Sequence, residues 1–177
     1  MAPHDGAAHT PQLTARWKRG QSRGVGLGRG VIDRSHIGWR SKPAHVHVEA
    51  GQLRLFAKAT GEKSPIYVDA AAAKAAGHRA IPAPPTFAFS INLLAQTAPS
   101  YLEVLGVPIS RVLHGEQSFE YFNPIYAGDV ITISTEIVDI YAKKNGALEF
   151  IVAANEAVNQ NDELCVKLRS VIVVRNG

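Results

Sequence analysis

Residues 56–89 read FAKATGEKSPIYVDAAAAKAAGHRAIPAPPTFAF, and the fold is decided in this stretch. Leu53, Phe56, Ala57 and Thr60 recur at helical spacing, and Thr60-Gly61 ends that helix. A polar turn follows, closed by Pro65. Asp69 then stands where an N-cap belongs, ahead of an alanine-rich run that Gly77 stops. Pro82, Pro84 and Pro85 load the next loop with rigid backbone, and Thr86 is placed to cap a helix reading FAFSINLLAQT. That helix is apolar nearly all round (Phe87, Phe89, Ile91, Leu93, Leu94), which predicts that it is buried.

Outward from this centre the period changes from helical to alternating. Upstream, Val46 and Val48 alternate with His45, His47 and Glu49, a short half-exposed strand. Downstream, four long strands are predicted over 111–122, 130–141, 147–157 and 163–174. They are joined by turns at Asn123-Pro124, at Lys144-Asn145-Gly146 and between Asn159 and Asp162. Leu148, Phe150 and Val152 alternate with Glu149 and Ile151, and Leu164, Val166 and Leu168 with Cys165, Lys167 and Arg169. These read as antiparallel meander strands with one packed face. Such an order gives an α+β fold, a curved antiparallel sheet wrapped round a buried central helix. By analogy this is a single hot-dog domain over residues 31–177, an architecture whose sheet edge and helix pair across a dimer.

The chain of 177 residues suits one domain with a real core. Of its 19 basic and 15 acidic residues, five basic (Arg16, Lys18, Arg19, Arg23, Arg29) and one acidic (Asp5) lie in residues 1–30, which leaves 14 of each in the rest. The net charge of +4 therefore belongs to the tail, and the folded part has no footprint of a nucleic-acid binder. With almost no large apolar residues, residues 1–30 are read as a disordered basic tail, or as residues upstream of a start near Val31. Its Gly24–Gly30 stretch lacks the glycine spacing of a phosphate loop. One cysteine, Cys165, excludes an internal disulfide and points to a reducing, cytoplasmic setting. No apolar run is long enough for a membrane span.

The order FAKATGEKSPIYVD, AAGHRAIPAPPTF and RVLHGEQSFEYFNPIYAGDVI resembles the MaoC-like hydratase/dehydratase family, and within it the N-terminal MaoC dehydratase branch. The resemblance covers residues 31–176. It implies hydration or dehydration of acyl thioesters on coenzyme A or acyl-carrier protein, with no metal or other cofactor. It further implies a homo- or heterodimer with another hot-dog chain. In the family's catalytic branch the polar turn reads G-D-x-N-P-x-H, and its acid and histidine manage one water and the proton beside the thioester. A backbone N–H at the start of the buried helix holds the thioester oxygen, where unpaired donors and the helix dipole coincide.

Here the same turn reads Gly61-Glu62-Lys63-Ser64-Pro65-Ile66-Tyr67. Spacing and proline are kept, while Glu62, Ser64 and Tyr67 replace Asp, Asn and His. A phenol with an ordinary pKa of about 10 is a poor base at neutral pH. The resemblance nominates Glu62 and Tyr67 as catalytic positions and Ser64, Pro85, Thr86 and Phe87 as substrate-binding ones. The plainer readings are a solvated carboxylate for Glu62 and a packing residue for Tyr67.

His114 and Glu116 stand two apart on a predicted strand. They are expected on one face, as a replacement acid–base pair or as a polar network at a subunit contact. Gly115 between them marks a close backbone approach. His45 and His47 share a strand face without a third ligand. His78 is expected to cap carbonyls or reach solvent, Asp129 to fix a turn, and Cys165 to be a packed thiol.

Three functions compete. The first is a hydratase or dehydratase subunit working beside a catalytic MaoC-like chain. The second is a non-catalytic acyl-CoA-binding or scaffold hot-dog protein. The third is a hot-dog thioesterase, disfavoured because the predicted central helix carries Asn92 and Gln96 but no acid.

Overall fold

The computed structural model describes residues 32–95 and 99–176, so the tail expected to be disordered lies outside the described residues. The elements in chain order are β1 (Ala44–His47), α1 (Ala50–Ala59), α2 (Ala70–Ala75), α3 (Phe87–Leu94), α4 (Tyr101–Val104), β2 (Val112–Tyr121), β3 (Val130–Lys143), β4 (Leu148–Val158) and β5 (Leu164–Arg175). One five-stranded antiparallel sheet, in the order β1-β3-β4-β5-β2, curls round α3. This is the hot-dog fold, and the four long strands fall within two residues of their predicted bounds.

The helix ends are built as their residues dictate. Gly61 (φ 71°) closes α1 through Glu62 N–H to Ala57 O (2.9 Å). Gly77 (φ 89°) closes α2 through His78 N–H to Ala73 O (3.0 Å). Both are left-handed stops that satisfy otherwise orphaned carbonyls. Asp69 caps α2 through Oδ1, which accepts from Ala71 N–H (2.6 Å) and Ala72 N–H (3.1 Å).

Three expectations are corrected. Asn123-Pro124 does not make a hairpin. The chain leaves β2 at one edge of the sheet and enters β3 beside the other edge strand, and the link runs against the proline loop through Ala83 N–H to Ile125 O (2.7 Å) and Ala127 N–H to Ile81 O (2.9 Å). The central helix is not buried all round: Phe87, Ala88 and Ile91 face the core, while Leu93 and Leu94 are exposed at 61% and 46%. A single sheet covers one side of a helix only, so uniform apolarity does not by itself give uniform burial. Finally, β4 is packed on both faces along its middle. Glu149 and Ile151 are buried inward, and Val152 and Ala154 are buried on the outer face, because β4 sits centrally between two long neighbours.

The core falls into two clusters under the sheet. One joins Leu53, Phe87, Ile91, Ile131, Val166 and Leu168 around α3. The other joins Ile137, Ile140, Ile151 and Val174 towards α4. Among the described residues no helix is long and apolar enough to cross a membrane.

Candidate functional site

The turn after α1 is shaped by its own carboxylate. Glu62 Oε1 accepts the N–H of Ser64 (2.9 Å) and is otherwise exposed to solvent. Pro65–Tyr67 forms a single 3₁₀ turn in which Tyr67 is half-buried. Arg54, on α1, reaches over it, its Nε donating to Val68 O (2.9 Å). The spacing of the motif therefore survives as backbone geometry, with Glu62 holding the bend that brings Pro65 round.

The start of α3 is the second part of the site. Thr86 occupies the cap position in helical conformation and makes no side-chain cap, which corrects its expected role. Phe87 N–H turns back to Pro84 O (2.9 Å) and Phe89 N–H to Thr86 O (3.1 Å). The N–H groups of Thr86 and Ala88 have no acceptor among the described residues. The Pro85 carbonyl is held by the hydroxyl of Tyr121, on the inner face of β2. Burial pushes the Tyr121 phenol up to about 12, so it acts as a donor throughout the neutral range. Phe56 meets Phe87 edge-on, ring centroids 5.3 Å apart, and so fixes α1 and its turn against this helix start.

The third part is a cavity of about 330 Å³ between α3, α4 and the inner face of the sheet. Phe89, Leu93 and Ile172 give it an apolar wall, and Asn92, His114, Thr135 and Ser170 a polar one. His114 lies against Phe89, ring centroids 5.0 Å apart. Tyr101 also lines it, its phenol pushed by burial to about 12.

His114 and Glu116 do not share a face. A β-bulge at Gly115 pairs His114 with Ile172 and Glu116 with Val171, consecutive residues of β5 that point to opposite sides. A Cβ at Gly115 would stand 2.9 Å from a Val173 methyl and 3.1 Å from Val171 O, so the close approach read from the glycine is real. Glu116 lies on the outer face, and the Tyr141 phenol is raised first by burial and then by the Glu116 charge. His114 Nε2 donates instead to the backbone oxygen of Glu116 (3.2 Å).

The candidate residues thus form separate groups. Phe87 and Phe89 are two apart on a helix and point about 200° apart. The turn carrying Glu62 and Tyr67 and the histidine on β2 therefore flank different sides of α3. None of Glu62, Ser64 or Tyr67 lines the cavity.

What sequence reading missed is the polar floor. Asn155, 2% exposed, donates through Nδ2 to Asn92 Oδ1 (2.9 Å) and Thr135 Oγ1 (2.6 Å). Ser170 Oγ donates to Gln117 Oε1 (2.6 Å). The available signal was parity: Glu149, Ile151, Ala153, Asn155 and Ala157 occupy one face of β4, and Asn155 is the polar residue between the alanines of that inward series.

The other expected roles resolve locally. Asp129, 1% exposed, fixes its turn: Oδ2 accepts Tyr126 N–H (2.8 Å), and Oδ1 accepts from Arg79 and from Gln160 Nε2 (3.0 Å). Burial alone raises its pKa. The hydrogen bonds from Arg79, Gln160 and Tyr126, with the Arg79 charge, outweigh that and hold the carboxyl below the usual range. The His78 side chain meets the Tyr126 hydroxyl (3.3 Å) rather than backbone carbonyls, and remains partly exposed. His45 pairs with Thr132 Oγ1 (3.0 Å). Cys165 is fully buried, and burial first, then the Asp129 charge, pushes its thiol up to about 11.

Comparison with known proteins fits this fold. A family model described as the FAS1-like dehydratase domain region matches residues 35–168. A UPF0336 protein of Streptomyces griseus is 36% identical over 147 residues, covering 82% of this chain and 96% of that protein. A solved MaoC-like dehydratase superposes with a TM-score of 0.71 at 26% identity, covering 81% of this chain and 43% of that one. The HadBC (3R-hydroxyacyl-ACP dehydratase) complex of Mycobacterium tuberculosis superposes at 0.69 and 22% identity, covering 78% of this chain and 96% of that one, a likeness of fold.

Proposed function

The chain belongs to the FAS1-like dehydratase region family, and from that premise we propose that it is one subunit of an enoyl-thioester hydratase or 3-hydroxyacyl-thioester dehydratase, working beside a second, catalytic MaoC-like chain. The observation that carries this reading is the turn after α1. It keeps the spacing of the family's catalytic turn, yet Glu62 spends its carboxylate on Ser64 N–H, and Tyr67 stands where the base would be.

In this reading the partner supplies the acid and histidine that add water across the double bond or remove it. This chain supplies the start of α3, whose Thr86 and Ala88 amides have no acceptor among the described residues, as the place for the thioester oxygen. It also supplies the cavity behind α3 for the acyl chain. An exposed β2 edge and the exposed Leu93 and Leu94 offer the surface on which a second hot-dog chain sits. The substrate is an acyl thioester of coenzyme A or of acyl-carrier protein. The HadBC structure, a dehydratase complex of the same fold, is consistent with pairing of this kind.

The test is hydration of a short enoyl-CoA by the purified chain alone and co-purified with a MaoC-like chain bearing the full G-D-x-N-P-x-H turn. Activity only in the pair is the expected result. Turnover by the chain alone, abolished by Glu62→Gln or His114→Ala, overturns the division of labour. Binding of acyl-CoA without turnover in either preparation selects the non-catalytic acyl-binding reading, which the altered turn also favours.

A further inference from the structure

The cavity behind α3 is not the lining that a plain hydrocarbon chain requires. Its volume, about 330 Å³, is roughly twice that of a dry cavity that takes up benzene. Dry cavities are apolar throughout, and this one is not. Thr135 and Ser170, 9% and 4% exposed, are built into the sheet beneath it, and Asn92 faces it from the helix.

The hydrogen-bond directions are specific. Asn155 donates to both Asn92 Oδ1 and Thr135 Oγ1. Each of those oxygens keeps a second lone pair, and the two residues also hold donors: the Asn92 amide N–H groups and the Thr135 hydroxyl proton. Neither finds an acceptor among the described residues. Ser170 gives its proton to Gln117, which leaves its oxygen as an acceptor in the same wall. The Asn92 and Thr135 donors, with acceptor oxygens in the same wall, beside an apolar wall of Phe89 and Ile172 match an alkyl chain interrupted by an oxygen function.

We infer that the cavity takes the distal part of an acyl thioester whose chain carries a hydroxyl or keto group, in preference to an unsubstituted chain of equal length. This rests on the acyl-thioester reading above and names the substrate class within it. A plain chain displaces water from Asn92, Thr135 and Ser170 and returns no hydrogen bond. An oxygenated chain replaces what it displaces.

The experiment is calorimetric titration of the full chain, alone and with its catalytic MaoC-like partner. The ligands are a saturated acyl-CoA and a set of equal-length acyl-CoAs with a hydroxyl moved along the distal carbons. At least one hydroxylated ligand is expected to bind about tenfold or more tightly than the plain chain, the discrimination of one matched buried polar group. Thr135→Val and Asn92→Leu are expected to erase that preference. Thr135→Val keeps the side-chain shape and so reads the effect even where Asn92→Leu disturbs packing. Equal affinity for every ligand, or a preference that survives both substitutions, overturns the inference and leaves the acyl-thioester reading standing. Absence of binding by any acyl-CoA, with and without the partner, overturns that reading and this inference together.

Discussion

His114 and Glu116 lie two residues apart on β2 and on opposite faces of the sheet, because the bulge at Gly115 sets them opposite the consecutive residues Ile172 and Val171. The inner face thereby receives a histidine, next to Phe89 and the cavity. The outer face receives a carboxylate, and burial first, then that charge, raises the Tyr141 phenol. A pair that looked like an acid and a base in one place is divided by the thickness of the sheet. Each half acts in its own setting.

The bulge depends on the missing side chain at Gly115. Gly115→Ala brings a methyl within 2.9 Å of Val173 and 3.1 Å of the Val171 carbonyl. The strand must shift or the bulge reopen, and destabilisation of about 1–3 kcal/mol is expected from such overpacking. Chemical denaturation reads the loss. A change in the His114 imidazole resonance by NMR reports that the histidine has moved with it. An unchanged midpoint shows that the bulge does not need glycine.

Asp129 makes acid stability a local matter. Its folded pKa lies below the unfolded value of about 3.9, so its contribution is complete above that value and is lost as pH falls through the folded pKa. Asp129→Asn is expected to cost about 1–3 kcal/mol at pH 7, towards the low end because Arg79 is half exposed. It also removes part of the acid limb: the urea midpoint of the wild type falls more steeply below pH 4 than that of the variant. Parallel curves sink this assignment.

Lys144 pays a conformational cost in the β3–β4 turn. Its φ of 51° and that of Asn145, 54°, lie in the left-handed region, followed by Gly146 at 88°. Asparagine tolerates this backbone and lysine does not gain from it. Lys144→Asn is therefore expected to stabilise by about 0.5–1 kcal/mol, a fraction of the left-handed penalty. The thermal midpoint measures it, and a drop on substitution contradicts it.

The architecture was legible because period carries it. Alternation over the four long strands, the Asp69 cap and the Gly61 and Gly77 stops each act within a few residues, and each appears where local chemistry puts it. What is not local was not legible. Gly115 signalled a close approach, but not that the strand would bulge and reverse the facing of Glu116. Leu93 and Leu94 are as apolar as Ile91, and only the position of the sheet decides which is covered. The polar floor was hidden for the same reason. Asn92, Thr135 and Asn155 come from one helix and two strands, and their convergence is a property of register rather than of any one segment. The turn at 61–67 was legible as backbone and as an altered motif, while the local use of the Glu62 carboxylate required the structure.

Asn155 and Asp129 provide a test of this distinction with opposite signs. Asn155 is a buried donor, facing the Asn92 and Thr135 oxygens. Asn155→Asp replaces that donor with a carboxylate at a site 2% exposed, where burial disfavours the charged form and no cation approaches among the described hydrogen bonds and ion pairs. The folded pKa of the new carboxyl is therefore expected above its unfolded value of about 3.9. Folding then binds a proton, so the variant loses stability as pH rises through and above 4, and regains it as pH falls. At pH 7 the loss is expected at about 2 kcal/mol or more, the cost of a buried charge with hydroxyl and amide donors but no cation beside it. Asn155→Leu, with no charge to bury, is expected to show a smaller loss, of about 1–3 kcal/mol, independent of pH. Urea midpoints of the two variants between pH 4 and 8 decide the matter. A pH-independent Asn155→Asp variant shows that water reaches the floor of the cavity freely and that its polar groups are solvated rather than enclosed.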